Sequence, residues 1–293
     1  EINQHKKDMD LYIFLFSFFL SWILLYLGIP LLRKHFKDQP NIRSSHKIIT
    51  PRSGGICFVL LGIINSLINL LYFDYSINAI FPLLCIPLAI ISLIDDYNNV
   101  PICIRYPIQI VTSIFIVLNT KLPIGKDDSY FYLSVLFLLI LSTALINFIN
   151  FMDGIDSLVA GCMFIILVFV GFKNSHELWS VTGALLAFLY WNWSPAKVFM
   201  GDIGSTFLGT ILAFIVIQNS TWTDAFSLLI ISTPLTVDAF ICVLRRLLAK
   251  QNIFQAHNSH LYQRLHQSGW RHSKVAIVYM LATLLLSITY LVG

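Results

Sequence analysis

Ten apolar stretches leave this chain few options for folding. They lie near 11–32, 55–72, 78–94, 104–118, 131–147, 157–172, 178–193, 204–217, 225–244 and 275–292. In hydrocarbon every backbone N–H and C=O must find its partner within the protein, which a helix achieves on its own. Roughly 17–25 apolar residues suffice to cross the bilayer core. Charged residues make up 12% of the 293, against about 25% in soluble domains. The pattern predicts an all-α integral membrane protein of about ten transmembrane helices, a single domain over residues 1–293. The bilayer is its expected partner, and no nucleic acid is expected. The stretch 104–118 is the least regular, because Arg105 and Gln109 fall on it. Leu11–Leu32 is too long for a signal-peptide core and lacks a small-residue cleavage site, so it reads as a retained span. Cys57, Cys85, Cys103, Cys162 and Cys242 form no CxxC pair, and they are expected as free thiols without disulfide or metal role.

Ten spans sort the connecting segments onto two sides. The segments 33–54, 95–103, 148–156, 194–203 and 245–274 share one side and, with Arg105 at its edge, carry 14 of the 19 basic residues. The positive-inside rule assigns that side to the cytoplasm and both termini to the outside. Asp95, Asp96, Asp153, Asp156 and Asp202 fall on the same side, at or beside span ends. Carboxylates are costly near lipid, so five at one interface call for an explanation. A transporter would carry its polar groups near the bilayer midplane instead.

Five constellations could carry chemistry. In SLIDDYNNVP, Asp95 and Asp96 repel one another unless a cation intervenes, which suits a metal-bound or general-base role; a solvated turn is the plain alternative. In NFINFMDGIDSLVAG, Asn147, Asn150, Asp153 and Asp156 recur at i, i+3. On a helical end that spacing lines one face with hard oxygen donors for a divalent ion and acceptors for sugar hydroxyls. Helix capping by Asp156 and an ordinary Asp153-Gly154 turn compete with that reading. In VFMGDIGSTFLG, glycines flank Asp202 just ahead of a span, where backbone N–H groups can meet a phosphate; a Gly-rich turn with a cap explains the same letters. The stretch Ala256–Val275 offers His257, His260, Arg264 and His266 without an acid, a poor zinc set but a fair pyrophosphate clamp. A basic loop on anionic headgroups is equally compatible. The loop Asp38–Gly55 holds Arg43, His46, Lys47 and Arg52, which both phosphate binding and topology require.

Taken in order, DxPNxRSSH with TPRxGG, DD after the third span, NxxNxxDGxD, FMGDxGSxxLG and HxxHxYQRLxxxGW resemble the polyprenyl-phosphate N-acetylhexosamine-1-phosphate transferases. The resemblance covers about Asp38–Val275 and is nearest to the branch that initiates O-antigen or other bacterial surface glycans. It implies Mg²⁺ (with Mn²⁺ as a substitute), a UDP-N-acetylhexosamine donor, undecaprenyl phosphate as acceptor and UMP as product; it is compatible with a homodimer. By motif position it implies Asp202 as principal metal ligand with Asn150 nearby. Asp95 and Asp96 would act on the acceptor phosphate or the metal. Asp153 and Asp156 would line the nucleotide-sugar site, Asn147 would assist binding, and Phe199 would sit at the uracil. Lys47, His257, His260 and Arg264 would meet phosphates. Two departures stand out: Ser157, where DGIDG is usual, and HNSH in place of the three histidines of the peptidoglycan branch.

Two other classes remain open on the residues alone. A prenyl transferase acting on an aromatic acceptor also uses paired aspartates, but in DxxxD spacing, which Asp95-Asp96 lacks. A transporter or flippase would rest on Asn65, Asn69 and Asp238 within spans.

Overall fold

In the computed structural model, which describes residues 2–38, 49–72, 77–125, 130–173, 176–251 and 258–292, the chain is built of helices. These are α1 (Ile2–His35), α2 (Ile56–Tyr72), α3 (Ile77–Leu84), α4 (Ile86–Tyr97), α5 (Ile102–Leu118), α6 (Phe131–Met152) and α7 (Leu158–Lys173). They continue as α8 (Trp179–Asn192), α9 (Gly201–Ile217), α10 (Trp222–Ile231), α11 (Thr233–Leu248), α12 (Leu261–Gln267) and α13 (His272–Val292). A two-residue ladder, β1 (Lys37–Asp38) against β2 (Thr50–Pro51), is antiparallel, with Lys37 opposite Pro51.

Every apolar stretch of the sequence lies on helix, but two are divided. Pro87, in the first turn of α4, separates α3 from α4 at Cys85. Pro234 does the same at Ser232, and α10 and α11 meet there at 80°. Proline lacks the N–H that would continue the ladder and its ring crowds the preceding turn. Among the described residues, 8–35, 131–152 and 272–290 are long and apolar enough to cross a membrane individually, and the bent pair adds a fourth span if counted as one. Four shorter apolar helices, α2, α5, α7 and α9, accompany them.

Helix α9 is the axis of the bundle. Apart from Asp202, all of its residues are buried, and α2, α4, α5, α6 and α10 pack around it. A helix apolar on every side belongs inside, not at the lipid boundary. The peripheral α1 shows the opposite pattern, with Tyr12, Phe16, Phe19, Leu27 and Leu31 exposed on its outer surface.

The start of α9 is where three sequence motifs meet. Asp96, at the end of α4, accepts hydrogen bonds from the backbone N–H of Asp202 (2.8 Å) and Ile203 (3.3 Å) and from the Ser53 hydroxyl (2.8 Å). The Arg52 guanidinium lies 3.4 Å from the same carboxylate. A negative group suits a helix N-terminus, where unpaired N–H groups and the helix dipole point outward. Gly201 turns the chain onto this carboxylate at φ +77°, and a Cβ there would lie 2.3 Å from Asp96 Oδ2. Behind it, α2 and α9 touch backbone to backbone: a Cβ on Gly55 would lie 2.4 Å from the Gly204 Cα. Small residues permit such approaches between membrane helices.

Two substitutions test this junction by unfolding in detergent. Gly55→Ala should lose about 1–3 kcal/mol through forced separation of α2 and α9. Gly28→Ala, where an added Cβ meets nothing within 4 Å, should lose none. Asp96→Ala should cost about 3 kcal/mol, through loss of the cap and of a partly buried ion pair, and Asp96→Asn less than half of that.

Candidate active site

The ends of six helices converge on one cavity. The C-terminal ends of α4, α6 and α8 meet the N-terminal ends of α2, α9 and α13 there, so the five connecting segments that the sequence placed on one side do come together. The cavity, about 210 Å³, is lined by Asp38 and Arg52, by Asn150 and Asp153–Asp156, by Asn192, by Phe199–Asp202, and by Gln263 and His272.

Several of these residues are charged. Asp153 follows the last turn of α6, its N–H bonded to the Asn150 carbonyl at 3.2 Å. Asp202 opens α9, one turn ahead of its apolar stretch. Its Oδ1 accepts from the Asn150 amide at 2.9 Å, and that amide also reaches the Ser205 hydroxyl at 2.9 Å. Arg105 reaches Asp202 Oδ2 at 3.5 Å and makes a close ion pair with Asp95, which also accepts the Val100 N–H at 2.6 Å. Burial, reinforced by the neighbouring charges of Asp202 and Asp96, pushes the Asp153 carboxyl up to about 8. Burial and Asp96 push Asp202 up to about 6, against the pull of Arg52 and Asn150. Two carboxylates disfavoured as anions in a partly open cavity form a place where added positive charge is stabilised.

The same cavity holds further groups. Phe199 presents a half-buried ring. Burial would push Asp156 up, yet hydrogen bonds from His272, Ser194 and the Ala196 N–H hold it below the usual carboxylate range. Asn192 is committed on both sides: its Oδ1 accepts the Ser157 N–H at 2.8 Å and its Nδ2 donates to the Val198 carbonyl at 2.9 Å. Ser157 has φ +67° and also donates its hydroxyl to the Asn192 carbonyl at 3.1 Å. A left-handed conformation is where glycine is at ease, so the departure noted in the sequence falls at a strained position secured by Asn192.

Of the expected site residues, Asn150, Asp153, Asp156, Phe199 and Asp202 line the cavity. Asp95 and Asp96 adjoin it, bound to Arg105 and to the α9 N-terminus. The i, i+3 ladder does not continue along one helix. Helix α6 ends at Met152, so Asp153 and Asp156 reach the cavity from a turn, while Asn147 faces α5 and donates to Gln109 at 2.9 Å. His260 is 3% exposed and lies outside the cavity. It sits at the start of α12, with its ring on Tyr262 and its Nδ1 3.7 Å from Asp238. Arg264 is exposed on the rim of a second, mainly apolar cavity of about 470 Å³ between α11, α12 and α13. Lys47 and His257 fall outside the described residues.

Sequence reasoning passed over several residues that belong here. Arg52 stood in TPRxGG and Gln263 in HxxHxYQRL, but neither was given a role. Asn192 and His272 carry no motif of their own: Asn192 ends an apolar helix, and His272 sits in a stretch read for His257 and His260. Asp238 was weighed only as a polar residue within a span. It accepts the Leu261 N–H (2.7 Å), the Tyr262 N–H (3.1 Å) and the Tyr279 hydroxyl (2.7 Å), fastening α12 to the bundle. Tyr262 then reaches the Phe151 carbonyl at 3.1 Å, beside Asp153.

Residues 78–220 match the model of glycosyl transferase family 4. The chain is 31% identical to the phospho-N-acetylmuramoyl-pentapeptide-transferase of Staphylococcus epidermidis, over 94% of this chain and 95% of that protein. It is 29% identical to a probable undecaprenyl-phosphate N-acetylglucosaminyl 1-phosphate transferase of Bacillus subtilis, covering 87% of this chain and 76% of the relative. A Thermotoga maritima undecaprenyl-phosphate alpha-N-acetylglucosaminyl 1-phosphate transferase is 27% identical over 85% and 79%. The extent of these matches places the chain in the polyprenyl-phosphate N-acetylhexosamine-1-phosphate transferase family.

Proposed function

We propose that this protein transfers an N-acetylhexosamine-1-phosphate from a UDP-sugar to undecaprenyl phosphate, releasing UMP and starting a lipid-linked surface glycan of the O-antigen kind. The observation that carries the reading is the cavity itself. It brings several carboxylates, an arginine and an aromatic ring together at the ends of helices whose apolar bodies suit a lipid-anchored acceptor. The names of the bacterial relatives support the same transfer.

In the proposed reaction an acceptor phosphate oxygen forms a bond to the sugar-bearing phosphorus as the bond from that phosphorus to the UMP oxygen breaks. Phe199 offers its ring face to the uracil, and Arg52 supplies positive charge toward the diphosphate. Asp96 fixes the first turn of α9 and so aims Asp202. Arg105 does the same from the side of Asp95. With every described partner of Asp96 already a donor, its part is to position, and the acceptor phosphate, whose second ionisation lies near ~6, needs little help to shed its proton. Lys47 and His257 are assigned to phosphate contacts from their motifs, and His260 to holding α12 beside the cavity.

A divalent cation fits the donor set. Among the described residues no three His, Cys, Asp or Glu side chains form a ready cage. Mg²⁺ is commonly held by one or two carboxylates together with substrate phosphates and water, and here Asp202 and Asp153 would hold it, with the Asn150 carbonyl beside them. Such an ion would neutralise the diphosphate and the departing UMP.

The test is release of UMP by membranes given undecaprenyl phosphate and a panel of radiolabelled UDP-sugars. UDP-N-acetylglucosamine should yield lipid-linked product. Selective turnover of UDP-N-acetylmuramoyl-pentapeptide would instead place the chain with its staphylococcal relatives. Asp202→Asn should abolish turnover with unfolding unchanged, since an amide binds Mg²⁺ more weakly than a carboxylate. Protons compete with the ion for Asp153 and Asp202, so the Mg²⁺ needed for half-maximal rate should fall as pH rises from about 6 to 9.

The cavity opens to the cytoplasm in this reading, with ten spans crossing the bilayer. Cys103, exposed at the start of α5, should escape an impermeant thiol reagent applied to intact cells, while a cysteine placed at Lys126 should be labelled. The reverse pattern would turn the cavity away from cytosolic nucleotide sugars.

A further inference from the structure

Helix α6 ends at Met152, and Asp153 enters the cavity from the first position beyond it. The last carbonyls of a helix have no partner within it, and in a membrane bundle other protein groups must supply one. The Asn150 carbonyl is met locally, by the Asp153 N–H at 3.2 Å. The Phe151 carbonyl is met from 111 positions along the chain, by the Tyr262 hydroxyl at 3.1 Å. The Tyr262 side chain is buried, and a Cβ on Gly154 would collide with its hydroxyl, so the phenol fills the inside of the turn. The His260 ring stacks on that of Tyr262 at 5.6 Å and lies 6.5 Å from the Phe151 ring. The start of α12 is thereby pressed against the residues that carry Asp153.

A helix of seven residues has little stability of its own, so α12 needs outside support. Asp238 of α11 provides it, accepting the N–H groups of Leu261 at 2.7 Å and Tyr262 at 3.1 Å. The Tyr279 hydroxyl, 2.7 Å from the same carboxylate, fixes Asp238 from α13. Direct contacts therefore run from α11 and α13 through Tyr262 to the end of α6. Asp153 depends on them more than its neighbour does. The Asp202 carboxylate is steadied by Asn150 and Arg105. Among the described residues no hydrogen bond or close ion pair steadies that of Asp153, so its direction follows the turn.

We propose that Tyr262, set by Asp238, is a positioning residue of the reaction: by terminating α6 it holds the Asp153 carboxylate where the sugar donor binds. Tyr262 does for Asp153 what Asp96 does for Asp202, from the opposite end of a helix. The proposal rests on the transferase reading above for what Asp153 meets, whereas the clamp itself stands on contacts within the protein.

The experiment uses Tyr262→Phe, which keeps the ring and removes only the hydroxyl, in the purified full chain. Amide hydrogen exchange over residues 150–156 should quicken about fivefold, the scale of one net hydrogen bond, with no change over 200–206. UMP binding in the presence of Mg²⁺, read by calorimetry, should weaken about tenfold, as when the support behind a ligand-holding side chain is lost. The KM for undecaprenyl phosphate should not move, which separates positioning from general loosening. Asp238→Asn, which keeps Tyr262 but weakens its support, should produce the same changes in exchange and UMP binding. On the unaltered protein, UMP with Mg²⁺ should slow exchange over 150–156 and 261–267 together, an arm that needs no variant to fold. The assignment is overturned if Tyr262→Phe leaves exchange over 150–156 unchanged, quickens 200–206 equally, or binds UMP normally. It is overturned as well if the KM for undecaprenyl phosphate rises in step, or if protection by UMP spares 261–267. A silent Asp238→Asn removes Asp238 from it. If the unaltered protein binds no UMP, the transferase reading falls, while exchange in Tyr262→Phe still decides the clamp.

Discussion

The carboxylate of Asp96, set against the first N–H groups of α9, is the contact on which the geometry of the site depends. A helix buried on all sides still exposes unsatisfied donors at its N-terminus, and in a membrane bundle they must be met by protein. Asp96 meets two of them and draws in Ser53 and Arg52 at the same time. The end of α4, the turn before α2 and the start of α9 thereby become one rigid corner. Asp202 leaves that corner as the next side chain after Gly201, so its direction is set by the same bonds that terminate the helix. The glycine contact between Gly55 and Gly204 closes the corner from behind.

A fold that gathers five aspartates at one interface has to manage their repulsion, and it does so unequally. Asp95 and Asp96 are neutralised within the protein, by Arg105 and Arg52. Asp156 is supported by His272 and by a backbone N–H. Burial and the neighbouring carboxylates push Asp153 and Asp202 up, to about 8 and about 6, although Arg105 also reaches Asp202 at 3.5 Å and Arg52 lines the same cavity.

The apolar stretches told where the helices run, because burial in lipid leaves no other conformation for them, but not where they break. Pro87 and Pro234 were in plain view, yet a hydropathy pattern is indifferent to an 80° bend that keeps both halves apolar. The clustering of the charged loops on one side was legible from basic-residue counts, and the motif aspartates do surround one cavity. Their individual tasks were not legible. The spacing of Asn147, Asn150, Asp153 and Asp156 implied one helical face, while the chain turns out of helix at Asp153 and sends Asn147 toward Gln109. Asp96 read as a metal-bound or general-base carboxylate, and its contact with the first N–H groups of α9 was not foreseen, since which backbone donors stand opposite a carboxylate is a tertiary fact. Ser157 is the reverse case: its departure from the usual glycine could be seen in the sequence, and φ +67° with two bonds to Asn192 supplies the reason.

The walls of the cavity have an uneven origin along the chain. The segment matched by the family model, 78–220, supplies Asn150, Asp153, Asp156, Asn192, Phe199 and Asp202. Asp38 and Arg52 precede it, and Gln263 and His272 follow it. The two flanks therefore close over a shared floor, one hinged on β2 and the other hung from Asp238. The bond from Tyr262 to the Phe151 carbonyl ties the later wall to the very turn that carries Asp153, so a change in that wall is felt at the carboxylate.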